Sequence, residues 1–173
     1  GNGMELRIEG AEQPVIEAGL LVIADGAKST LGEQLGMTSQ DKPYGQHALV
    51  ANVAVSQPHQ GCAFERFTDE GPLAMLPLLG TADAPHRCAL VWTLPPAQVA
   101  VMQDAADTEF LQQLQDRFGY RLGRLRQVGE RSSYPLSLVR SAEQVRQGVV
   151  VMGNAAHALH PVAGQGYNLA LRD

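Results

Sequence analysis

Val149-Val150-Val151-Met152-Gly153-Asn154-Ala155-Ala156-His157-Ala158-Leu159-His160-Pro161-Val162-Ala163-Gly164-Gln165-Gly166-Tyr167-Asn168-Leu169-Ala170-Leu171-Arg172-Asp173 is the stretch on which the fold turns. Its first four residues are uniformly apolar, the mark of a strand buried on both faces. The strand stops at Gly153, a residue small enough to let a ligand come close to the backbone. Asn154 then offers an amide to a sugar hydroxyl. Gly164-Gln165-Gly166 places bare backbone N–H groups at the start of a helix-like run, where the positive end of the helix dipole favours electron-rich oxygens. The plain alternative is a glycine-rich turn between packed helices.

A second strand-to-turn junction stands near the other end. Leu20 to Ile23 is apolar and breaks at Ala24-Asp25-Gly26, which delivers an acid and a glycine to the carboxyl end of a buried strand. Ligands of open α/β sheets collect at such ends, although an Asp-Gly turn after a strand is also ordinary structure. Ser29 is placed to cap a short helix running to Leu35, with Gly36 as its stop.

Between the junctions the pattern is mostly strand. Ahead of the first junction, Leu6-Arg7-Ile8 and Val15-Ile16-Glu17 suit a hairpin around Gly10-Ala11-Glu12-Gln13-Pro14. Ala48 to Val55, Ala63 to Phe67, Leu73 to Leu79 and Cys88 to Leu94 read as strands separated by Pro, Gly and Asp clusters. Pro95-Pro96 opens a helix to Met102. Asp107 is placed to cap a second, with Phe110, Leu111, Leu114 and Phe118 on one face and Gly119 as its stop. Ser132 to Leu138 returns to strand. The fold class is therefore α+β, or mixed α/β, with a central mixed sheet of five or more strands and a helical insert. The expected organisation is residues 1–36, ending in the Asp-Gly junction; 37–147, a sheet domain; and 148–173, a return to the first region. The final run begins a helix and stops nine residues after the glycine-rich turn, which reads as an internal piece of a longer protein.

Composition narrows the function. The 173 residues are 45% hydrophobic and carry a net charge of −5, which excludes a chain-wide electrostatic grip on nucleic acid. No apolar run approaches the length that spans a bilayer, and the reading is a cytoplasmic domain. The two cysteines, Cys62 and Cys88, fall in strand-like segments and read as buried free thiols. Ala27-Lys28-Ser29 lacks the glycines of a phosphate-binding P-loop, and no G-x-S-x-G elbow exists. His157 and His160 lack a third ligand in zinc spacing, so no metal is expected. Arg117, Arg121, Arg124 and Arg126 form a basic cluster, suited either to anionic lipid or to the solvated end of a helix.

Together the two junctions resemble the flavin-dependent aromatic hydroxylases of the para-hydroxybenzoate hydroxylase type. That family carries an Asp-Gly motif after a strand, matched by Asp25, Gly26 and Ser29. Its later G-D-A-A-H…P…G-Q-G-x-N…D segment is matched by Gly153, Ala155, Ala156, His157, Pro161, Gly164, Gln165, Gly166, Asn168 and Asp173. Asn154 stands where the wider family has Asp, and Gly32 where the first motif often ends in Arg. The Gly-Asn-Ala-Ala form, Phe64-Glu65-Arg66-Phe67-Thr68, Gly71 to Pro77 and Tyr134-Pro135-Leu136 are similar to the ubiquinone-biosynthesis branch. The family's leading G-x-G-x-x-G unit is not in this sequence.

The resemblance implies the substrate-domain half of an FAD/NAD(P)-binding monooxygenase fold. In such enzymes FAD, reduced by NADPH or NADH, takes up O₂ as a hydroperoxide and passes one oxygen to a phenol. It implies that Asp25 and Gly26 help hold the diphosphate-ribityl region and that Gly153 and Asn154 meet the ribityl or phosphate groups. Pro161, Gly164, Gln165, Gly166 and Asn168 would lie along the isoalloxazine. The sheet would form a substrate wall with Met75 and Trp92 in its lining. The implied substrate is a polyprenylated phenol. The implied partners are other quinone-biosynthesis proteins and the surface of the inner membrane, with no nucleic acid. His157 and His160 are candidate acid–base groups only because histidine titrates near neutrality. Without the missing unit, FAD is expected to be held weakly or not at all. The same fold acting on another substrate, such as an epoxidase, and a non-catalytic assembly module stay open as alternatives.

Overall fold

The computed structural model describes residues 3–10, 12 and 15–173. In chain order the elements are β1 (Met4–Arg7), β2 (Val15–Ala18), β3 (Leu21–Ile23), α1 (Thr30–Gln34), β4 (Ser39–Val55), β5 (Phe64–Phe67), β6 (Pro72–Leu78) and β7 (Arg87–Leu94). They continue with α2 (Pro96–Asp104), α3 (Asp107–Phe118), β8 (Leu125–Val128), β9 (Ser132–Ser141), β10 (Val145–Arg146), β11 (Val149–Val151), β12 (His157–Ala158) and α4 (Gln165–Ala170). The chain forms two compact units, Gly1–Lys42 with Ser137–Asp173, and Pro43–Leu136.

The contiguous unit is an antiparallel sheet with two helices on one face. Its strand order is β9-β4-β7-β6-β5, with β8 also paired to β4. Alternation in β7 sends Cys88, Leu90, Trp92 and Leu94 to the helix side, all 2% exposed or less. There they meet Val99 and Met102 of α2 and Phe110, Leu114 and Phe118 of α3. Trp92 and Phe110 pack edge to face at 6.2 Å, as do Phe64 and Phe118 at 6.3 Å.

Both helices form where the apolar spacing places them, but Asp107 is not the cap of α3. Ala106 takes that position without a side-chain hydrogen bond. Asp107 is the first helical residue, where its charge complements the dipole and its carboxylate accepts from Arg131 at 2.6 Å. Gly119 ends α3 at φ +84°. Buried Gln115 then fixes the exit loop. Its amide donates to Gly119 and Gly123 carbonyls at 2.7 and 3.2 Å, and its oxygen accepts the Leu125 N–H at 2.9 Å.

The discontinuous unit holds the β1–β2 hairpin, whose turn residues Ala11, Gln13 and Pro14 lie outside the described residues. It also holds the sheet β10-β11-β3, in which β11 and β3 run parallel. Ile23, Met37, Val149, Val151, Ala155 and Ala156 form its core. Ser29 caps α1 by accepting the Gly32 N–H at 3.1 Å, and Gly36 follows at φ +69°. In the same unit β12 pairs antiparallel with the end of β9, setting His157 opposite Arg140.

Cys88 is buried, and burial pushes its thiol above the usual value. Cys62 is exposed in the loop before β5, because the strand starts only at Phe64. Among the described residues no helix is long and apolar enough to cross a membrane.

Candidate functional site

The parallel pair β3–β11 brings the two junctions together. Val149, Val150 and Val151 stand opposite Leu21, Val22 and Ile23, and the Met152 N–H donates to the Ile23 carbonyl at 2.9 Å. Both strands therefore end at the same edge, where Asp25-Gly26 and Gly153-Asn154 leave the sheet side by side. Asp25 and Asn154 are exposed. Gly26 and Gly153 take φ values of +96° and +62°, and a Cβ added to either would meet nothing within 4 Å. Backbone with open space before it, at the carboxyl ends of neighbouring parallel strands, is what a ligand's sugar-phosphate portion requires.

A second glycine segment lies in the same unit. Pro161 is exposed and opens a single tight turn over Val162–Gly164, and Gly164 adopts φ +60° before α4. The Gly164 N–H is not bare: it donates to the Pro161 carbonyl at 3.1 Å. Positions beyond Gly164 and Gly166 are open to a depth of 4 Å. Gln165 and Asn168 are exposed on the first turns of this six-residue helix.

The two histidines have different surroundings. His157 lies on β12 with its Nδ1 3.6 Å from Asp173 Oδ1, and its buried Nε2 has no hydrogen-bond partner. Asp173 also accepts the Gly153 N–H through Oδ2 at 2.7 Å. Sequence reading quoted Asp173 within the motif but gave it no role, since nothing in local spacing shows a residue reaching back across 20 positions. His160 is held below its ordinary pKa by burial. Its Nδ1 accepts the Val162 N–H at 3.2 Å, a bond that protonation would break.

Met75 and Trp92 belong to the other unit, on the helix-covered face of its sheet. Met75 has no exposed surface, and Trp92 is 2% exposed. Trp92 borders a cavity of about 360 Å³ on that side together with Glu70, Gln98 and Arg117, and its buried Nε1 has no partner. Strand parity gives the opposite face to their neighbours. Val50 of β4 stands opposite Val91 of β7, which stands opposite Ala74 of β6; Asn52, Ala89 and Leu76 form the next row. These six are half-buried or exposed. The arginine cluster is divided: Arg117 pairs with Glu70 at 2.8 Å and Asp69 at 3.4 Å, while Arg121 lies 5.8 Å over the Phe64 ring.

Comparison with known proteins gives the family. The family model described as FAD binding domain matches residues 5–173. Ubiquinone hydroxylase UbiL of Rhodospirillum rubrum is 40% identical over 158 residues, covering 91% of this chain and 36% of that protein. The 3-demethoxyubiquinol 3-hydroxylase of Escherichia coli is 31% identical, covering 98% of this chain and 41% of that protein. The chain thus spans about two fifths of the length of these curated relatives. Among solved structures, Pseudomonas aeruginosa PqsL in complex with 2-aminobenzoylacetate aligns with a TM-score of 0.73 at 20% identity, over 96% of this chain and 46% of that one. That likeness shows the shared fold. By sequence, the chain belongs to the FAD binding domain family and is similar within it to the hydroxylases of ubiquinone biosynthesis.

Proposed function

We propose that the chain is part of an FAD-dependent monooxygenase that hydroxylates a polyprenylated phenol, of the 2-octaprenyl-6-methoxyphenol kind, in ubiquinone biosynthesis. The observation that carries this reading is the meeting of Asp25-Gly26 and Gly153-Asn154 at the ends of adjacent parallel strands, with open space before both glycines. FAD, once reduced by NADPH or NADH, supplies the electrons that activate O₂.

The chain's own residues bind and orient. Asp25 and Gly26 face the diphosphate-ribityl portion, and Asn154 offers its amide to a ribityl hydroxyl. Gly153 and Gly164 let the cofactor approach the backbone, while Pro161, Gln165, Gly166 and Asn168 border the ring. The sheet face with Val50, Val91, Ala74 and Leu76 is the wall for the phenol and its tail. Each CH₂ buried there contributes about 0.8 kcal/mol and needs no polar partner. The exposed Arg121, Arg124 and Arg126 suit contact with anionic lipid, from which a long-tailed substrate is drawn.

The test uses the full-length protein. A flavin absorption band that copurifies, and NAD(P)H-dependent formation of a product heavier by one oxygen atom from a prenylated phenol, are the expected results. A full-length protein that takes up no FAD would end this reading.

A further inference from the structure

Asp173 connects the two glycine segments. It follows α4, the helix that carries Gln165, Gly166 and Asn168, and its carboxylate returns to the first residue of the Gly153-Asn154 turn. One oxygen accepts the Gly153 N–H at 2.7 Å, and the other lies 3.6 Å from His157 Nδ1. The two side chains are only 10% and 11% exposed. A charged acceptor on a backbone N–H is among the stronger hydrogen bonds a protein makes, and partial exclusion of water strengthens it further. It acts on Gly153 at φ +62°, a conformation with few local constraints of its own.

We propose that Asp173 is a positioning residue for the cofactor site: its carboxylate staples the end of α4 to Gly153 and so fixes the direction in which Asn154 is presented. His157, with its Nδ1 3.6 Å from the second carboxylate oxygen, is the neighbour against which the carboxylate is held in place. The proposal rests on the flavin reading above. It differs from a purely structural ion pair in predicting an effect on bound flavin that exceeds any effect on the fold.

The experiment compares wild type, Asp173→Asn, Asp173→Ala and His157→Gln in the full-length protein. Asp173→Asn keeps the shape and loses the charge, so it carries the test should the alanine variant fail to fold. The expected results for Asp173→Asn are an FAD dissociation constant raised at least tenfold, an altered visible circular dichroism of residual bound flavin, and an unchanged melting temperature of the apoprotein. Combining it with His157→Gln should cost less than the sum of the two single changes. Wild-type FAD affinity in Asp173→Asn, or a lowered apoprotein melting temperature with normal flavin dichroism, would overturn the proposal. Failure of the wild type itself to take up FAD is a different result and overturns the flavin reading.

Discussion

Ile23 and Val151 stand opposite each other in parallel register, and beyond them Asp25 and Asn154 leave the sheet at the same edge. Because Asn154 is exposed there, substitutions test its contact without disturbing the core. Asn154→Asp should keep FAD affinity within a few-fold of wild type, since a carboxylate still accepts from a hydroxyl. Asn154→Leu should leave buried polar groups of the ligand unpaired, costing about 1–3 kcal/mol. Fluorescence titration of the full-length protein measures both, and equal affinity for the leucine variant would remove Asn154 from the site.

Gly153→Ala separates backbone strain from crowding. A Cβ there meets nothing within 4 Å, so the folded protein pays only for φ +62°, about 1–2 kcal/mol. A bound cofactor would add a clash with that same methyl group. The loss in FAD affinity should therefore exceed what the change in melting temperature accounts for.

The two faces of the sheet predict different failures. Met75→Asn sets an amide in a site with no exposed surface and should cost several kcal/mol of stability, lowering turnover alike for every tail length. Val91→Asn, on the opposite face in register with Val50 and Ala74, should leave melting nearly unchanged. It should also flatten the preference for long-tailed over short-tailed substrates. A steady-state comparison across tail lengths decides between them.

Arg131 holds the corner between α2 and α3. Its guanidinium donates to the Met102 and Ala105 carbonyls at 2.9 and 2.7 Å, and to Asp107 at 2.6 Å, and it lies 4.9 Å over the Phe110 ring. Arg131→Met should lower stability by about 2–3 kcal/mol. Arg131→Lys should recover little, because one ammonium cannot serve three acceptors in a planar fork. Denaturant unfolding gives the numbers.

The depressed pKa of His160 makes stability depend on pH. Between its folded pKa and the unfolded value near 6.5, the unfolded chain binds more protons, so stability rises with pH through that window. It is lost as pH falls below about 6.5. His160→Asn should flatten this part of the melting temperature profile, and an unchanged slope would show that other groups set it.

Much of this was legible in local sequence. Apolar alternation found β5, β6 and β7, and the Pro95-Pro96 and Gly119 punctuation framed the two helices. The strands β10 and β12 escaped because two residues carry no period, and β8 because Arg126-Gln127 between Leu125 and Val128 breaks the alternation. The β3–β11 adjacency was equally hidden, because each strand reads the same whatever its neighbour. The assignment of Met75 and Trp92 to a substrate wall turned on strand parity. Alternation shows that two faces exist but not which one the helices cover. For Asp173, only the folded chain shows the return to Gly153.

Ile23 and Val151 lie 128 positions apart, and most of the interval is the contiguous unit Pro43–Leu136. The length-dependent entropy of closing such a loop is about 4 kcal/mol, against a few short β-contacts in return. On the ribosome, β3 emerges before β11, and the intervening sheet and its helices are made between the two. A site built on the ends of both strands is therefore complete only after the inserted unit has been made. A mutation that slows that unit should raise the fraction of newly made protein lacking flavin, even where no residue near the flavin has changed.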